Sequence, residues 1–333
     1  LAKSDRWIFA PQVSPDGARV AYGDKSLRML VAPTDGGEAK VIGTSANGEV
    51  TDYRWSPDGS WLAWVETGAN GLGRIHLWEA ATGTDTCVSD GMTDDRTPRW
   101  DPKGAYLYFT SPRAIDPVMD QFDMAFATVE ATEVFAVPLD ATSPPPLPAA
   151  AAAAGVDLKE WAAPEPAERP EAKQPAEAPE PPDADDPEPA EVPGMPPAED
   201  AEAAAAMAIA LEGFMARAAK LPVDPGTFAQ VEAIPGGLLL LQRPLEGLAA
   251  SDDPHDGPAA NPGLLLHCDL PAGETTPLAE HGVGTFAVNA ECTVAILVCD
   301  AGVGTQLKAL SLAAPGAPAE PILLPGVTIA VDV

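Results

Sequence analysis

The chain has 333 residues, enough for two average domains or for one large all-β domain. Its 38 prolines and 29 glycines disfavour a mainly helical protein, because proline costs about 3 kcal/mol and glycine about 1 kcal/mol inside a helix. With 50 acidic and 19 basic residues, the formal charge of -31 repels phosphate backbones and anionic lipid headgroups. Nucleic acid and membrane surfaces are therefore not expected partners.

The first feature in chain order is a four-residue turn that recurs. Ser14-Pro15-Asp16-Gly17 returns as Ser56-Pro57-Asp58-Gly59 and, altered, as Asp101-Pro102-Lys103-Gly104, at offsets of 42 and 45 residues. Each copy suits a type I turn, with Ser or Asp first, Pro second and Gly fourth. A short apolar run follows each turn, which predicts a buried strand. A turn between strands at this period is typical of a β-propeller blade.

Further strand-like runs complete these units. They are Arg28 to Ala32, Ile75 to Trp78 and Val134 to Leu139. We therefore predict blades one to three in residues 1–140. Weaker units follow, with runs at Leu238 to Leu241, Leu264 to Leu270, Phe286 to Val288, Val294 to Val298 and Leu307 to Leu312. We assign blades four and five, with an exit strand, to residues 207–333, so about five blades of an all-β propeller are readable.

An interruption separates the two groups of blades. Residues 141–206 are dominated by Pro, Ala, Glu and Asp and have almost no aliphatic side chains, so they cannot build a core. We predict a long, disordered, acidic surface insertion; an acidic arm that recruits a partner is the alternative.

Motifs that carry chemistry are missing from the sequence. It contains no Gly-x-Ser-x-Gly elbow, no His-Glu-x-x-His and no phosphate-binding loop, and its histidines are scattered at positions 76, 255, 267 and 281. The cysteines at 87, 268, 292 and 299 lack metal-ligand spacing and are interpreted as free thiols, which favours a reducing compartment. We expect no catalytic residue, no cofactor and no metal ion in this chain.

One loop is a candidate for contact with a ligand. Asp94 and Asp95 precede the first strand of the third unit, and loops at that position of a propeller blade often face the central channel or its mouth. A solvated turn is the simpler interpretation. With Arg96, Arg113 and Asp116, these residues form our candidate channel-mouth loop.

Several segments resemble one family. Asp52 to Trp64, followed by Ser89 to Asp95, is similar to the second propeller of tricorn proteases. The same resemblance extends through Ser111 to Arg113, Asp116 to Asp120, Val137 to Leu139, Leu211 to Phe214 and Leu221 to Gly226. The Ser-Pro-Asp-Gly turns alone also resemble TolB-type and prolyl oligopeptidase-type propellers. At Asn289 to Glu291 the chain departs from the Asp-Gly type turn that the family tends to keep.

The resemblance implies a seven-bladed propeller in a serine peptidase that trims oligopeptides, with the propeller as a channel or filter toward an enclosed site. It implies oligopeptides, the C-terminal protease domains of the same longer chain and further copies of the chain as partners. The family's catalytic Ser and His match no position here. The resemblance also implies a strand from about Ile209, whereas the alanine content of residues 201–219 predicts a helix.

Two other functions remain open from the sequence. The chain could be a stand-alone TolB-like propeller that binds a protein partner, or a complete hydrolase, which the missing nucleophile motif disfavours. We expect a cytoplasmic location from the cysteines, or a periplasmic one if a leader has been removed.

Overall fold

A computed structural model of the protein describes residues 7–119, 124–155, 207–245, 263–300, 305–313 and 319–322. Within these ranges the secondary structure consists almost entirely of antiparallel strands, which confirms the predicted all-β class. No helix in the described ranges is long and apolar enough to span a membrane.

The first two sheets each contain four consecutive strands. Sheet one holds β1 (Ile8–Val13), β2 (Arg19–Asp24), β3 (Arg28–Pro33) and β4 (Lys40–Thr44). Sheet two holds β5 (Tyr53–Trp55), β6 (Trp61–Thr67), β7 (Gly73–Glu79) and β8 (Asp85–Cys87). Each strand pairs with its neighbours in sequence, which is the antiparallel meander of a propeller blade.

The third sheet is interrupted twice. Its strands, from first to last, are β9 (Arg96–Trp100), β10 (Tyr106–Pro112), β13 (Thr132–Pro138) and β14 (Ala219–Lys220). Between β10 and β13 the chain leaves the sheet as a separate two-stranded hairpin of β11 (Pro117–Met119) and β12 (Phe126–Thr128). Between β13 and β14 lies the acidic insertion.

Strand β14 corrects the predicted boundary of the fourth blade. It pairs with β13 through Phe135↔Lys220 and Ala136↔Ala219, so the residues from 207 to 220 complete blade three rather than open blade four. In their described part, neither the helix over residues 201–219 nor the strand from Ile209 forms. Residues 207–214 are irregular, a single 3-10 turn spans Met215–Arg217, and the strand begins at Ala219.

Tertiary contacts explain why alanine content failed as a guide to this segment. The Met207 backbone N–H donates to the Asp58 carboxylate at 2.9 Å, and its carbonyl accepts from Trp61 Nε1 at 2.8 Å. Phe214 is then buried in the apolar cluster between blades two and three. This packing outweighs the helix propensity of the alanines, which is a weak preference per residue.

The start of the insertion is ordered, contrary to the prediction of disorder from residue 141. Helix α1 (Pro148–Ala154) begins with a proline in its first turn and ends at Gly155, whose φ of 72° suits a left-handed C-cap. Ala151 is buried. A run of alanines with these end signals forms a short helix once it has a surface to pack on. Residues 156–206 lie outside the described ranges, so the predicted disorder there stays a prediction.

Blades four and five share one seven-stranded sheet. It contains β15 (Thr227–Ile234), β16 (Gly237–Arg243), β17 (Gly263–Asp269), β18 (Glu274–Val288), β19 (Val294–Asp300), β20 (Thr305–Ser311) and β21 (Glu320–Pro321). The first part of β18 pairs with β17, and from Val283 onward it pairs with β19. A single 15-residue strand is therefore the last strand of one blade and the first of the next. Residues 323–333, where the exit of the propeller was expected, lie outside the described ranges.

Tryptophans join the first strands of successive blades. Trp55 Nε1 donates to the Gln12 carbonyl at 3.2 Å, and Trp100 Nε1 donates to the Arg54 carbonyl at 2.9 Å. Each tryptophan directly precedes its turn, and each acceptor lies two residues before the turn of the preceding blade. The sequence repeat therefore encodes a repeated hydrogen bond between blades.

The turns share one hydrogen-bond pattern, including the turn at Asn289, whose sequence differs from the repeat. Ser56 Oγ accepts the Trp61 N–H at 2.9 Å, and the Gly59 N–H returns to the Ser56 carbonyl at 2.9 Å. In blade five, Asn289 replaces the serine, and its Oδ1 accepts the Val294 N–H at 2.9 Å. Cys292 occupies the glycine position and adopts a φ of 51°, which is unfavourable for a residue with a Cβ atom.

This strain predicts that Cys292→Gly is more stable than Cys292→Ala. Both replacements remove the partly buried thiol, so their difference isolates the cost of a Cβ in the left-handed region, about 1 kcal/mol. Urea denaturation of the two variants, followed by circular dichroism, measures it. Equal midpoints for the glycine and alanine variants would contradict the assignment of strain to this turn.

Candidate functional site

Four of the five residues of the candidate channel-mouth loop meet at the junction of blades two and three. Asp95 is the centre of this group and is fully buried. Its carboxylate accepts hydrogen bonds from the hydroxyls of Ser89 at 2.8 Å, Thr93 at 2.8 Å and Ser111 at 2.7 Å. It also accepts a hydrogen bond from Arg113 at 3.0 Å. Four donors satisfy a charge that would otherwise be costly to bury.

Arg113 is held on several sides. Its guanidinium lies 4.6 Å from the ring centroid of Phe135 and 5.5 Å from that of Phe109, and Nε donates to Ser111 Oγ at 3.0 Å. Asp95 directly precedes β9 and Arg113 directly follows β10, and these strands are antiparallel neighbours. The pairing brings the two side chains to the same end of the sheet.

The remaining candidates are less enclosed. Asp94 accepts a hydrogen bond from Arg96 Nε at 2.7 Å and another from the Gly73 N–H, and both side chains of this ion pair are partly exposed. Asp116 is exposed at the start of the β11–β12 hairpin. Within the described residues no hydrogen bond or ion pair joins Asp116 to the other four, so the structure does not bring it into the group.

A cavity of about 360 Å³ opens beside this junction. Its lining consists of Asp90, Thr93, Arg113, Met215 and Ala216. One acid, one base, one hydroxyl and two apolar side chains can hold a small polar group by hydrogen bonds. The set contains no nucleophile next to a free base, so it offers no covalent chemistry.

A second polar group lies on the first strands of blades two to four and was missed by sequence reasoning. Arg99 Nε donates to the Val231 carbonyl at 2.7 Å and lies 3.6 Å from the Glu232 carboxylate. Glu232 also pairs with Arg54. Asp52 accepts the Thr97 N–H at 2.6 Å and lies 3.4 Å from Arg99. Hereafter Asp52, Arg54, Arg99 and Glu232 are called the inner-strand ion network.

A sequence signal for part of this network existed. Arg54 and Arg99 occupy the same place in the repeat, two residues before Ser56 and Asp101. Their acidic partner Glu232 lies beyond the insertion and follows a different turn, so the repeat does not reveal it. Burial lowers the pKa of Arg99, while the carboxylates of Glu232 and Asp52 oppose that shift. An arginine stays charged in a protein, so the carboxylates of Glu232 and Asp52 are needed to balance the buried charge of Arg99.

His76 lies away from both groups and is unsuited to act as a general base. Its Nδ1 is 2.7 Å from Asp85 Oδ2, and its Nε2 is 3.1 Å from Glu66 Oε2. Burial alone lowers the pKa of His76, but hydrogen bonds and charge from Asp85 and Cys87 outweigh burial and raise it to about 10. Cys87 is its cross-strand neighbour, and both ring nitrogens already face carboxylate oxygens.

Within the ranges that the structure describes, no three or more His, Cys, Asp or Glu side chains are grouped so that they could hold a metal ion. The Cys87, Cys268, Cys292 and Cys299 thiols are unpaired.

Comparisons with known proteins agree on one family. Residues 2–294 match the family model described as tricorn protease second beta propeller domain. The chain is 37% identical over 139 residues to tricorn protease homolog 1 of Streptomyces coelicolor, which is 40% of this chain and 13% of the relative. It is 26% identical over 246 residues to putative tricorn protease homolog 2 of the same organism, which is 71% of this chain and 18% of that relative.

A solved structure shares the fold. The crystal structure of the tricorn protease superposes with a TM-score of 0.69 at 17% identity, over 97% of this chain and 27% of that one. The chain therefore spans less than one fifth of the two curated relatives and about a quarter of the solved chain.

The buried carboxylate of Asp95 predicts a large loss of stability in Asp95→Asn. The amide replaces one of the two accepting oxygens of Asp95 by an NH2 donor and leaves Arg113 without its counter-charge, so we expect a loss of about 3 kcal/mol. Guanidinium denaturation measures it. Asp116→Asn, an equal change at the exposed candidate, is the matched control and should alter stability by less than about 0.5 kcal/mol. Similar losses in both variants would refute the assigned role of Asp95.

The pKa of His76 predicts how stability depends on pH. The folded chain holds a proton that the unfolded chain releases near the ordinary value of 6.5, so the contribution of His76 is complete below that pH and is lost as pH rises toward 10. Between about pH 6.5 and 8.5, the free energy of unfolding should fall more steeply in the wild type than in His76→Gln. Urea denaturation at stepped pH tests this, and parallel profiles for the two proteins would disprove it.

Proposed function

The chain belongs to the tricorn protease second β-propeller family, and from that premise we propose that it is the non-catalytic propeller segment of a serine peptidase that trims oligopeptides. In this proposal the segment acts as a substrate channel or filter, and the residues that cut peptides lie outside it. The C-terminal protease domains of the same longer polypeptide are then its partners, together with further copies of the chain.

The inner-strand ion network is the observation that carries the channel role. Propeller blades are arranged around a central channel, and the first strand of each blade is the one nearest the axis. The network places two acids and two bases on or beside β5, β9 and β15. Arg54 is 37% exposed, so its guanidinium is accessible beyond its bond to Glu232. A channel wall with both acids and bases offers hydrogen bonds and charge to positively or negatively charged groups of an extended peptide.

The partly exposed pair of Asp94 and Arg96 supports the same role at the end of the channel. Asp95 and Arg113 support it indirectly, because their buried contacts fix the loop that carries this pair. The free thiols support our proposal of a cytoplasmic location, where cysteines remain reduced.

Peptide binding by single variants tests the proposal. We expect fluorescence anisotropy with labelled oligopeptides to show weak binding, with a Kd of about 1 mM or somewhat tighter. Arg54→Gln should weaken binding at least about threefold, because it removes a charged donor from the proposed channel wall. Circular dichroism first establishes that the variant is folded.

Arg19→Gln is the matched control. Arg19 is 35% exposed and, like Arg54, pairs with one carboxylate, that of Asp16, but it begins β2, the second strand of its blade, and not a first strand. Its peptide binding should equal that of the wild type. No detectable binding by the wild type, or equal weakening in both variants, would contradict the channel role.

A further inference from the structure

Arg54 differs from the two residues that share its place in the repeat. Gln12 and Arg99 also stand two residues before the first residue of a turn. Gln12 Nε2 donates to a backbone carbonyl of β5 at 3.0 Å, and Arg99 Nε donates to one of β15 at 2.7 Å, so each binds the first strand of the next blade. Among the described residues, the side chain of Arg54 has no such backbone acceptor, and its one hydrogen-bond partner is Glu232.

The ion pair of Arg54 and Glu232 joins two blades that are not consecutive. Arg54 lies on β5 of blade two and Glu232 on β15 of blade four, while β9 of blade three contacts both strands. Both side chains are partly exposed, Arg54 more than Glu232. An exposed ion pair contributes little to stability, so a competing carboxylate can displace Glu232 from Arg54 at small cost.

Glu232 keeps a counter-charge when Arg54 leaves it. Arg99 Nε lies 3.6 Å from the Glu232 carboxylate, and Arg99 is only 12% exposed. Asp52 lies 3.4 Å from the same guanidinium. Arg54 is therefore the member of the inner-strand ion network that can change its partner without leaving a buried charge alone.

We propose that Arg54 determines the specificity of the channel wall by binding a carboxylate of the peptide in exchange for Glu232. The inference rests on the proposed channel function and names the class of peptide that the wall favours. Such a peptide has a free carboxylate, either on an acidic side chain or at its C-terminus. A guanidinium presents N–H donors to both oxygens of a carboxylate, and these charge-assisted hydrogen bonds are stronger than neutral ones.

The acids of the network are less suited to hold a basic group of a peptide. The Glu232 carboxylate already faces two arginines, and Asp52 accepts the Thr97 N–H in addition to its contact with Arg99. A cation at either acid would therefore lie near a guanidinium. The formal charge of -31 is spread over the whole chain, and salt screens exposed charges beyond about 8 Å at physiological ionic strength.

Fluorescence anisotropy with four labelled peptides of equal length tests the inference. The parent peptide has a central Asn and an amidated C-terminus. The other three replace the Asn by Asp, replace it by Lys, or carry a free C-terminal carboxylate. We expect the wild type to bind a carboxylate peptide about fivefold more tightly than the parent, and the Lys peptide no more tightly. A gain by one carboxylate peptide alone identifies the source of the group. Added salt should reduce the preference.

Two variants separate specificity from folding. Arg54→Gln should bind the parent and Asp peptides with affinities within about twofold of each other. Glu232→Gln should bind the Asp peptide about threefold more tightly than the wild type does, because no protein carboxylate then competes for Arg54. A loss of structure would weaken binding of every peptide and could not produce this gain.

Asp16→Asn is the matched control. It removes the carboxylate partner of Arg19, which is partly exposed like Arg54 but begins β2, the second strand of its blade. All four peptides should bind this variant as they bind the wild type.

Several results would overturn the inference. Equal affinities for the four peptides, or tightest binding of the Lys peptide, would leave the channel role in place and exclude the preference for carboxylates. A preference that persists in Arg54→Gln would assign it to another base, and a Glu232→Gln variant without a gain would exclude the exchange. A wild type that binds none of the four peptides would remove the channel role itself, and the inference with it.

Discussion

The hydrogen bond from the tryptophan that precedes the turn of blade two or blade three to the first strand of the preceding blade is the contact on which this arrangement depends. A blade cannot bury both faces of its sheet alone, so its stability comes from its neighbours. Trp55 and Trp100 are buried while their indole N–H groups reach a backbone carbonyl across the blade boundary. Each therefore contributes apolar packing and also fixes the height of one blade against the next, which apolar packing alone does not do.

Blades one and two also approach each other closely at Gly43. A Cβ added at Gly43 would lie 2.2 Å from the ring of Trp64, so β4 of blade one can reach blade two only with a glycine there. Trp64 in turn donates to Asp85 at 2.8 Å and lies against His76, with ring centroids 4.5 Å apart. The charged cluster around His76 is thus tied to the same blade boundary, and its protonated imidazole serves packing rather than catalysis.

The repeat made much of the fold predictable. Serine, proline and glycine at fixed places define a turn by local backbone preference, and the strands beside it follow from short apolar runs. Asn289 and Cys292 show that a search for the sequence motif alone misses some turns, because the same turn forms here with a different acceptor and a strained fourth residue. Strand β14 was not predictable, since its place depends on Met207 contacting the turn of another blade across the insertion.

The candidate site also has a part that the sequence could predict and a part that it could not. Asp94 to Arg96 could be found because loop position within a blade is a property of the repeat, but the sequence does not say which of them is buried. The structure gives Asp95 a structural role, since a carboxylate that already accepts four hydrogen bonds has little capacity left for a ligand. The inner-strand ion network differs, because it joins residues 178 positions apart yet leaves Arg54 partly exposed. The buried contacts of Asp95 make the junction of blades two and three rigid, while Arg54 on a first strand keeps its charge accessible. The proposed channel wall needs donors that are held in place, and near Asp95 only the partly exposed side chains of Asp94 and Arg96 are accessible for that task.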